Sequence, residues 1–266
     1  AGRVEVVARG LADRLRARRA PDDPARILVA HHLLLGDTLM LTPLLAKLRE
    51  RHPRAEVVMT VAQAAAPLYA TRPYGVRAIG WSPSALPPAL FAEAPFDLAL
   101  VPGDNRYAWL AAAMRARWIV AFGGAPSRRR DWPVDRLVDY RATPAAWGDM
   151  CADLVDGPPP AAYDPAAWKA PPAAAFALPS SPYAVVHVGA SSPLKQWSPA
   201  RSAAIAAMLA ARGLAPVFTA GRGEEAALQA ANPHGRHAEF AGMLDLAQMW
   251  RLIAGAKALV APDTGI

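Results

Sequence analysis

One cysteine, Cys151, occurs in the 266 residues. That excludes an internal disulfide framework and any zinc site made of cysteines alone, and it leaves Cys151 as a small buried hydrophobe. No run of about 18 apolar residues is present, and the N-terminal stretch lacks the long apolar core of a secretory signal, so a soluble or membrane-peripheral protein is expected. H-E-x-x-H, Cys-x-x-Cys, G-x-S-x-G and G-x-x-x-x-G-K-[ST] are all missing, which leaves metalloprotease, zinc-finger, serine-hydrolase and P-loop chemistries without a motif. His31 and His32 are adjacent, and adjacent side chains seldom share one ion, so no metal site is expected. Lysine is scarce, and the 29 basic residues, almost all Arg, outnumber 22 acidic ones to give a net charge of +7. The excess points to an anionic partner. It falls short of a nucleic-acid reading, because no recognised module or aromatic-interleaved basic face accompanies it; GC-rich coding alone would produce the same Arg bias.

What is present is globular: 53% of residues are hydrophobic, with 27 Pro and 18 Gly. Residues 4–19 place Val4, Val7, Leu11 and Leu15 at helical spacing among Arg9, Arg14, Arg16, Arg18 and Arg19, a basic amphipathic helix within residues 1–20. It suits either an anionic membrane surface or packing on its own domain. Short apolar runs then alternate with helical segments. Strands are expected at 26–30, 56–61, 76–79, 98–101 and 118–121, with helices at 39–51 and 107–115. Residues 161–182 are too rich in Pro for a helix or central strand and separate a domain at 1–160 from one at 183–266. In the second domain strands are expected at 183–188, 214–219 and 257–261. Ser198 and Pro199 open a helix that Gly213 closes, and further helices cover 224–231 and 246–253. The rhythm implies two α/β domains with mostly parallel sheets, an arrangement that favours a ligand cleft between them.

Chemistry is expected at the carboxyl ends of strands. Gly36 and Asp37 follow the first strand, and Asp37 is either a helix cap or a base. The loop His187–Trp197 supplies Gly189, Ser191, Ser192 and Lys195; it is either a phosphate cradle or a solvated loop. Gly221, Gly223 and Ala226 spell G-x-G-x-x-A, but on the second βα unit and without a closing acidic residue, so NAD and FAD are not expected. Asp263, Thr264 and Gly265 follow the last strand, where a helix N-terminus should come next.

Taken together, residues 27–59, 185–213 and 258–266 resemble the bacterial ADP-heptose:lipopolysaccharide heptosyltransferases, glycosyltransferase family 9. The resemblance is faint from 64 to 180. It implies a GT-B fold, two Rossmann-like domains facing each other across a cleft, with the C-terminal domain truncated, and both termini are expected to be clipped. It implies an inverting transfer of heptose from ADP-heptose to the phosphorylated inner core of lipopolysaccharide, without a cofactor or metal. The setting would be the cytoplasm or the inner face of the cytoplasmic membrane of a Gram-negative bacterium. It makes Asp37 the general base and assigns Gly189, Ser191, Ser192 and Lys195 to the diphosphate. Glu225, in a Gly-x-x-x-Glu pattern from Gly221, goes to the adenosine ribose, and Asp263, Thr264 and Gly265 to the nucleotide and sugar. One loop departs from the pattern: His31, His32, Leu33, Leu34 and Leu35 replace a basic residue and small polar ones, with His31 as the stand-in base. Acceptor contacts are expected from His31, Asp104, Asn105 and Arg106 and from Arg128 to Arg130. A relative using another nucleotide sugar or acceptor, and a non-catalytic nucleotide-sugar-binding protein, stay open as alternatives.

Overall fold

The computed structural model describes residues 2–13, 18–84, 88–124 and 128–266. Two compact units make up the chain, Ala1–Lys169 and Ala170–Ile266, and the division falls inside the Pro-rich 161–182 segment.

The first unit opens with α1 (Gly2–Asp13), followed by β1 (Arg26–Val29), α2 (Leu35–Leu39), α3 (Thr42–Arg51), β2 (Glu56–Ala62) and β3 (Val76–Trp81). Next come α4 (Pro88–Ala92), β4 (Phe96–Val101), α5 (Arg106–Ala113), β5 (Ala116–Phe122), α6 (Arg128–Asp131), β6 (Arg136–Val138) and α7 (Trp147–Cys151). Its six strands run parallel in the order β3-β2-β1-β4-β5-β6. Four-residue β1 is apolar and buried from Ile27 to Val29 because it lies centrally, with neighbours and covering layers on all sides. Leu28 joins the core that α5 builds with Ala108, Leu110, Ala111 and Ala112. Ile27 and Val29 alternate to the opposite face.

The helix expected at 39–51 is two helices. Pro43, in the first turn of α3, has no N–H to continue the preceding one, so α2 ends at Leu39 and α3 starts afresh at Thr42. As a result α2 begins four residues earlier than expected. The amphipathic N-terminal helix also departs from expectation: Val4, Val7 and Leu11 are 75%, 38% and 45% exposed, while Gly10 is the buried residue. Arg14, Leu15 and Arg16 lie outside the described residues, as does the side chain of Arg128.

The second unit carries β7 (Tyr183–His187), α8 (Pro199–Ala210), β8 (Ala215–Ala220), α9 (Glu225–Ala231), β9 (Ala238–Ala241), α10 (Leu246–Gly255) and β10 (Ala258–Val260). Its parallel sheet has the order β10-β7-β8-β9. Alternation in β7 divides the core: Ala184 and Val186 pack with Ala206, Leu209 and Leu228 from α8 and α9, whereas Tyr183 and Val185 pack with Met249 and Leu252 from α10. Local signals set the helix starts. Ser198 accepts the Arg201 N–H before Pro199, and Asp245 forms a capping box with Gln248. The strands β6 and β9 escaped sequence reasoning. Both are edge strands of three and four residues, and β6 reads Arg-Leu-Val, too short and too polar for a periodic signal.

Candidate functional site

In the first unit the chain reverses direction across the sheet between β1 and β4, because β2 lies on one side of β1 and β4 on the other. Ligands of open α/β sheets sit at the carboxyl ends of strands at such a switch point. The 30–34 loop and α2 occupy it. Leu34, in extended backbone, precedes α2 without any side-chain cap, which places Asp37 as the third residue of the helix. Among the described residues its carboxylate has no hydrogen-bond or ion-pair partner. The cap reading of Asp37 is therefore not the geometry observed, and the carboxylate is left available.

Cys151 from α7 is fully buried, its Sγ 3.7 Å from the carbonyl of Pro102 in the loop after β4. Burial, with the fields of Asp153 and Asp37, pushes the thiol up to about 12, so Cys151 is an uncharged wall. Gly148, one turn earlier in α7, meets the Met40 carbonyl at the end of α2 so closely that a Cβ there would overlap the oxygen.

His31 does not serve as the expected basic residue. It is 0% exposed, and burial together with neighbouring His32 pushes its pKa down to about 3, so the ring is neutral. Nδ1 accepts the Leu33 N–H at 3.2 Å, which fixes the ring proton on Nε2, a buried atom with no partner among the described residues. The His31 backbone exchanges two 2.9 Å hydrogen bonds with Thr60 Oγ1, and its carbonyl also accepts from Trp81 Nε1. His31 thus holds the loop to β2 and β3 from within.

The other acceptor-side candidates divide as well. Asn105 is buried, its Nδ2 donating to the Phe122 carbonyl and to Asp131, so its amide N–H groups face inward. Asp104 receives Arg106 at 2.7 Å and Arg130 at 3.1 Å. Burial works to raise the Asp104 carboxyl but is outweighed by these arginines, which hold it below its ordinary value.

The second sheet has its switch point between β10 and β7, with β8 on the far side of β7. There the structure joins two residues that the sequence singles out separately: Lys195 Nζ lies 2.7 Å from Asp263 Oδ2, in loops following adjacent strands. Ser192 Oγ accepts the Leu194 N–H and starts the turn that carries Lys195, and Ser191 is exposed beside it. Gly189 is not an open part of the cradle. Glu224 covers it so closely that a Cβ would overlap the carboxylate, which also accepts the Gly221 N–H at 2.8 Å. His187, one strand residue before the loop, is bonded to Thr219 Oγ1; burial lowers its pKa against the opposing field of Glu224.

Glu224 is the functional candidate that sequence reasoning missed. Glu225 instead folds back on its own turn, accepting the Gly223 N–H at 3.0 Å, and is held low by the backbone amides of Glu225 and Gly223. The two glutamates are consecutive, and the turn after β8 decides which faces the β7 loop. Thr264 and Gly265 follow Asp263 in the irregular segment after β10. Among the described residues no group of three or more His, Cys, Asp or Glu is arranged to hold a metal ion, and no helix is long and apolar enough to cross a membrane.

Residues 154–266 match the family described as Glycosyltransferase family 9 (heptosyltransferase). No curated protein matches the chain. Among solved structures, it is similar to the E. coli heptosyltransferase WaaC with ADP, at 18% identity and a TM-score of 0.72 over 90% of this chain and 82% of that one. The E. coli ADP-heptose lps heptosyltransferase II is similar at 20% identity and a TM-score of 0.68, over 90% and 79% of the two chains. The glycosyl transferase family 9 protein from Veillonella parvula DSM 2008 gives 15% identity and a TM-score of 0.70, over 91% and 76%. At these identities the likeness is one of fold, the GT-B architecture of two Rossmann-like units.

Proposed function

We propose that this chain, whose residues 154–266 match the family described as Glycosyltransferase family 9 (heptosyltransferase), moves a heptose from ADP-heptose to the inner core of lipopolysaccharide, inverting the anomeric carbon. The observation that carries this reading is the 2.7 Å pair of Lys195 and Asp263 at the switch point of the second sheet. An ammonium in the loop that also carries Ser191 and Ser192 suits a diphosphate, and a carboxylate followed by Thr264 suits sugar hydroxyls. The WaaC structure contains ADP, and that nucleotide is carried over here as the leaving group.

Negative charge grows on the departing ADP in the transition state, and Lys195, with Ser191 and Ser192, offsets it without a metal ion. Asp37 removes the proton from the attacking acceptor hydroxyl. A base must have its carboxylate free to reach that hydroxyl, and Asp37 has no competing bond among the described residues. Glu224 takes over the ribose role that the resemblance implies for Glu225, since its carboxylate is the one turned to the β7 loop. On the acceptor side Arg106 faces the phosphorylated glycolipid, at the inner face of the cytoplasmic membrane.

The test is transfer itself. Incubation with ADP-heptose and a heptose-deficient lipopolysaccharide core should increase the acceptor mass by one heptose. Transfer from a different nucleotide sugar, with ADP-heptose inert, would move the chain to another donor within its family, and binding without any transfer would make it a non-catalytic member.

A further inference from the structure

Val4, Val7 and Leu11 of α1 stand exposed. Gly10 is the buried contact, and a Cβ on it would lie 3.3 Å from side-chain atoms of Trp109 and Ala112 in α5. Alongside this contact, α1 and α5 enclose a half-open cavity of about 350 Å³. Val6 and Val7 line it from α1, Tyr107, Trp109 and Leu110 from α5, and Trp81 from the end of β3. Both indole N–H groups are already engaged: Trp81 Nε1 donates to the His31 carbonyl at 3.2 Å and Trp109 Nε1 to the Arg129 carbonyl at 3.0 Å. The two rings therefore offer the cavity carbon alone.

Charge enters through Arg106 and Arg130, whose side chains are 57% and 41% exposed. Both pair with Asp104, and two guanidinium groups against one carboxylate leave a positive charge beside an apolar space. Tyr107 adds a hydroxyl with no hydrogen-bond partner among the described residues.

We infer that this cavity binds a single aliphatic chain carrying an anionic head group. The volume is in the lower part of the range for small-molecule sites, about 300–1,000 Å³, and such sites are mostly apolar with a few placed polar groups. The chain lies between the valines of α1 and the α5 side chains, and its head group meets Arg106 and Arg130. A sugar ring fits less well, because its hydroxyls need several free donors and acceptors, whereas the indoles have none left and the one carboxylate is held by two arginines. The cavity shares Arg106 with the acceptor side proposed above, and its binding is tested without a sugar donor, so that it stands or falls apart from transfer.

Calorimetry and tryptophan fluorescence on the whole chain with hexyl, octyl and decyl phosphate, each below its aggregation threshold, read this site. One equivalent should bind, with affinity rising about fourfold per added CH₂ until the cavity is full. Inorganic phosphate should give no saturable signal. Val7→Asp, at a partly exposed position that tolerates a carboxylate, should weaken decyl phosphate at least tenfold, and Val6→Asp is the second such variant. Arg130→Ala should weaken it about tenfold while leaving decanol binding unchanged. Vesicles of phosphatidylcholine with phosphatidylglycerol separate the sources. Sedimentation that Val7→Asp abolishes identifies a bilayer lipid, and alkyl phosphate binding without sedimentation identifies a free amphiphile. Absence of saturable binding, no dependence on chain length, or unchanged affinity in both valine variants overturns the inference.

Discussion

Gly148 of α7 touches the backbone carbonyl of Met40, the residue that ends α2, with no room for a side-chain carbon between them. The contact fixes the short helix that carries Asp37, which has neither a side-chain cap nor length to hold itself in place. Gly148→Ala should therefore cost about 1–3 kcal/mol as an overpacking change, or displace α2. In steady-state kinetics the expectation is a fall in kcat of at least tenfold with the donor KM within twofold. An unchanged kcat would show that α2 does not depend on this contact.

Asp37→Asn isolates the base. The carboxylate makes no hydrogen bond among the described residues, so the melting temperature should stay within about 2 °C of the parent. Donor affinity should change by less than threefold, while transfer falls by about 10²–10⁴, the usual contribution of a general base. A variant that loses folding rather than rate would return Asp37 to a structural role.

Legibility in the sequence followed the strength of local signals. The central strands β1 and β7 stand out as apolar runs because both faces are buried, and α8 announces its start through Ser198-Pro199. The edge strands β6 and β9 do not, because an edge position asks little of the residues in it. At the candidate site, Lys195 and Asp263 were each visible as loop residues after strands, but their meeting depends on the order β10-β7, which no local pattern encodes. The choice between Glu224 and Glu225 turns on the backbone of one tight turn, where Gly223 has φ +84°. His31 stands in for the basic residue only through the family's loop pattern; the layers buried around it, which no local pattern encodes, make it neutral.

The two glutamates give a direct comparison. Glu224→Gln should weaken ADP binding about tenfold, the loss of one or two hydrogen bonds to a charged acceptor. Glu225→Gln, at an exposed position bonded to its own turn, should change it less than twofold. The reverse order in a calorimetric titration would restore the assignment to Glu225 that the family resemblance implies.

Buried His31 makes stability fall with acid. Its pKa is lowered in the folded chain to about 3 from an ordinary value of 6.5. Above about 6.5 both states are neutral and nothing is lost; between about 6.5 and 3 only the unfolded chain takes up the proton. Unfolding is then favoured by up to about 1.4 kcal/mol per pH unit. His187 is lowered in the same direction and adds to the slope. Urea unfolding between pH 7 and pH 4.5 should show a shallower decline in His31→Asn, which keeps an acceptor for the Leu33 N–H, than in the parent. Equal slopes would mean that His31 is not the neutral buried group described.

The central claim, that the loops after β7, β8 and β10 hold an ADP-linked heptose, is tested most directly by calorimetric titration with ADP-heptose, ADP and UDP-glucose in the absence of acceptor. The account predicts saturable one-to-one binding of ADP-heptose and ADP, at least tenfold tighter than UDP-glucose. It also predicts a loss of about ten- to hundredfold for both adenine ligands in Lys195→Ala, where a charge-assisted contact to the diphosphate is removed. No nucleotide binding in the parent chain, or binding indifferent to both the base and Lys195, would contradict it.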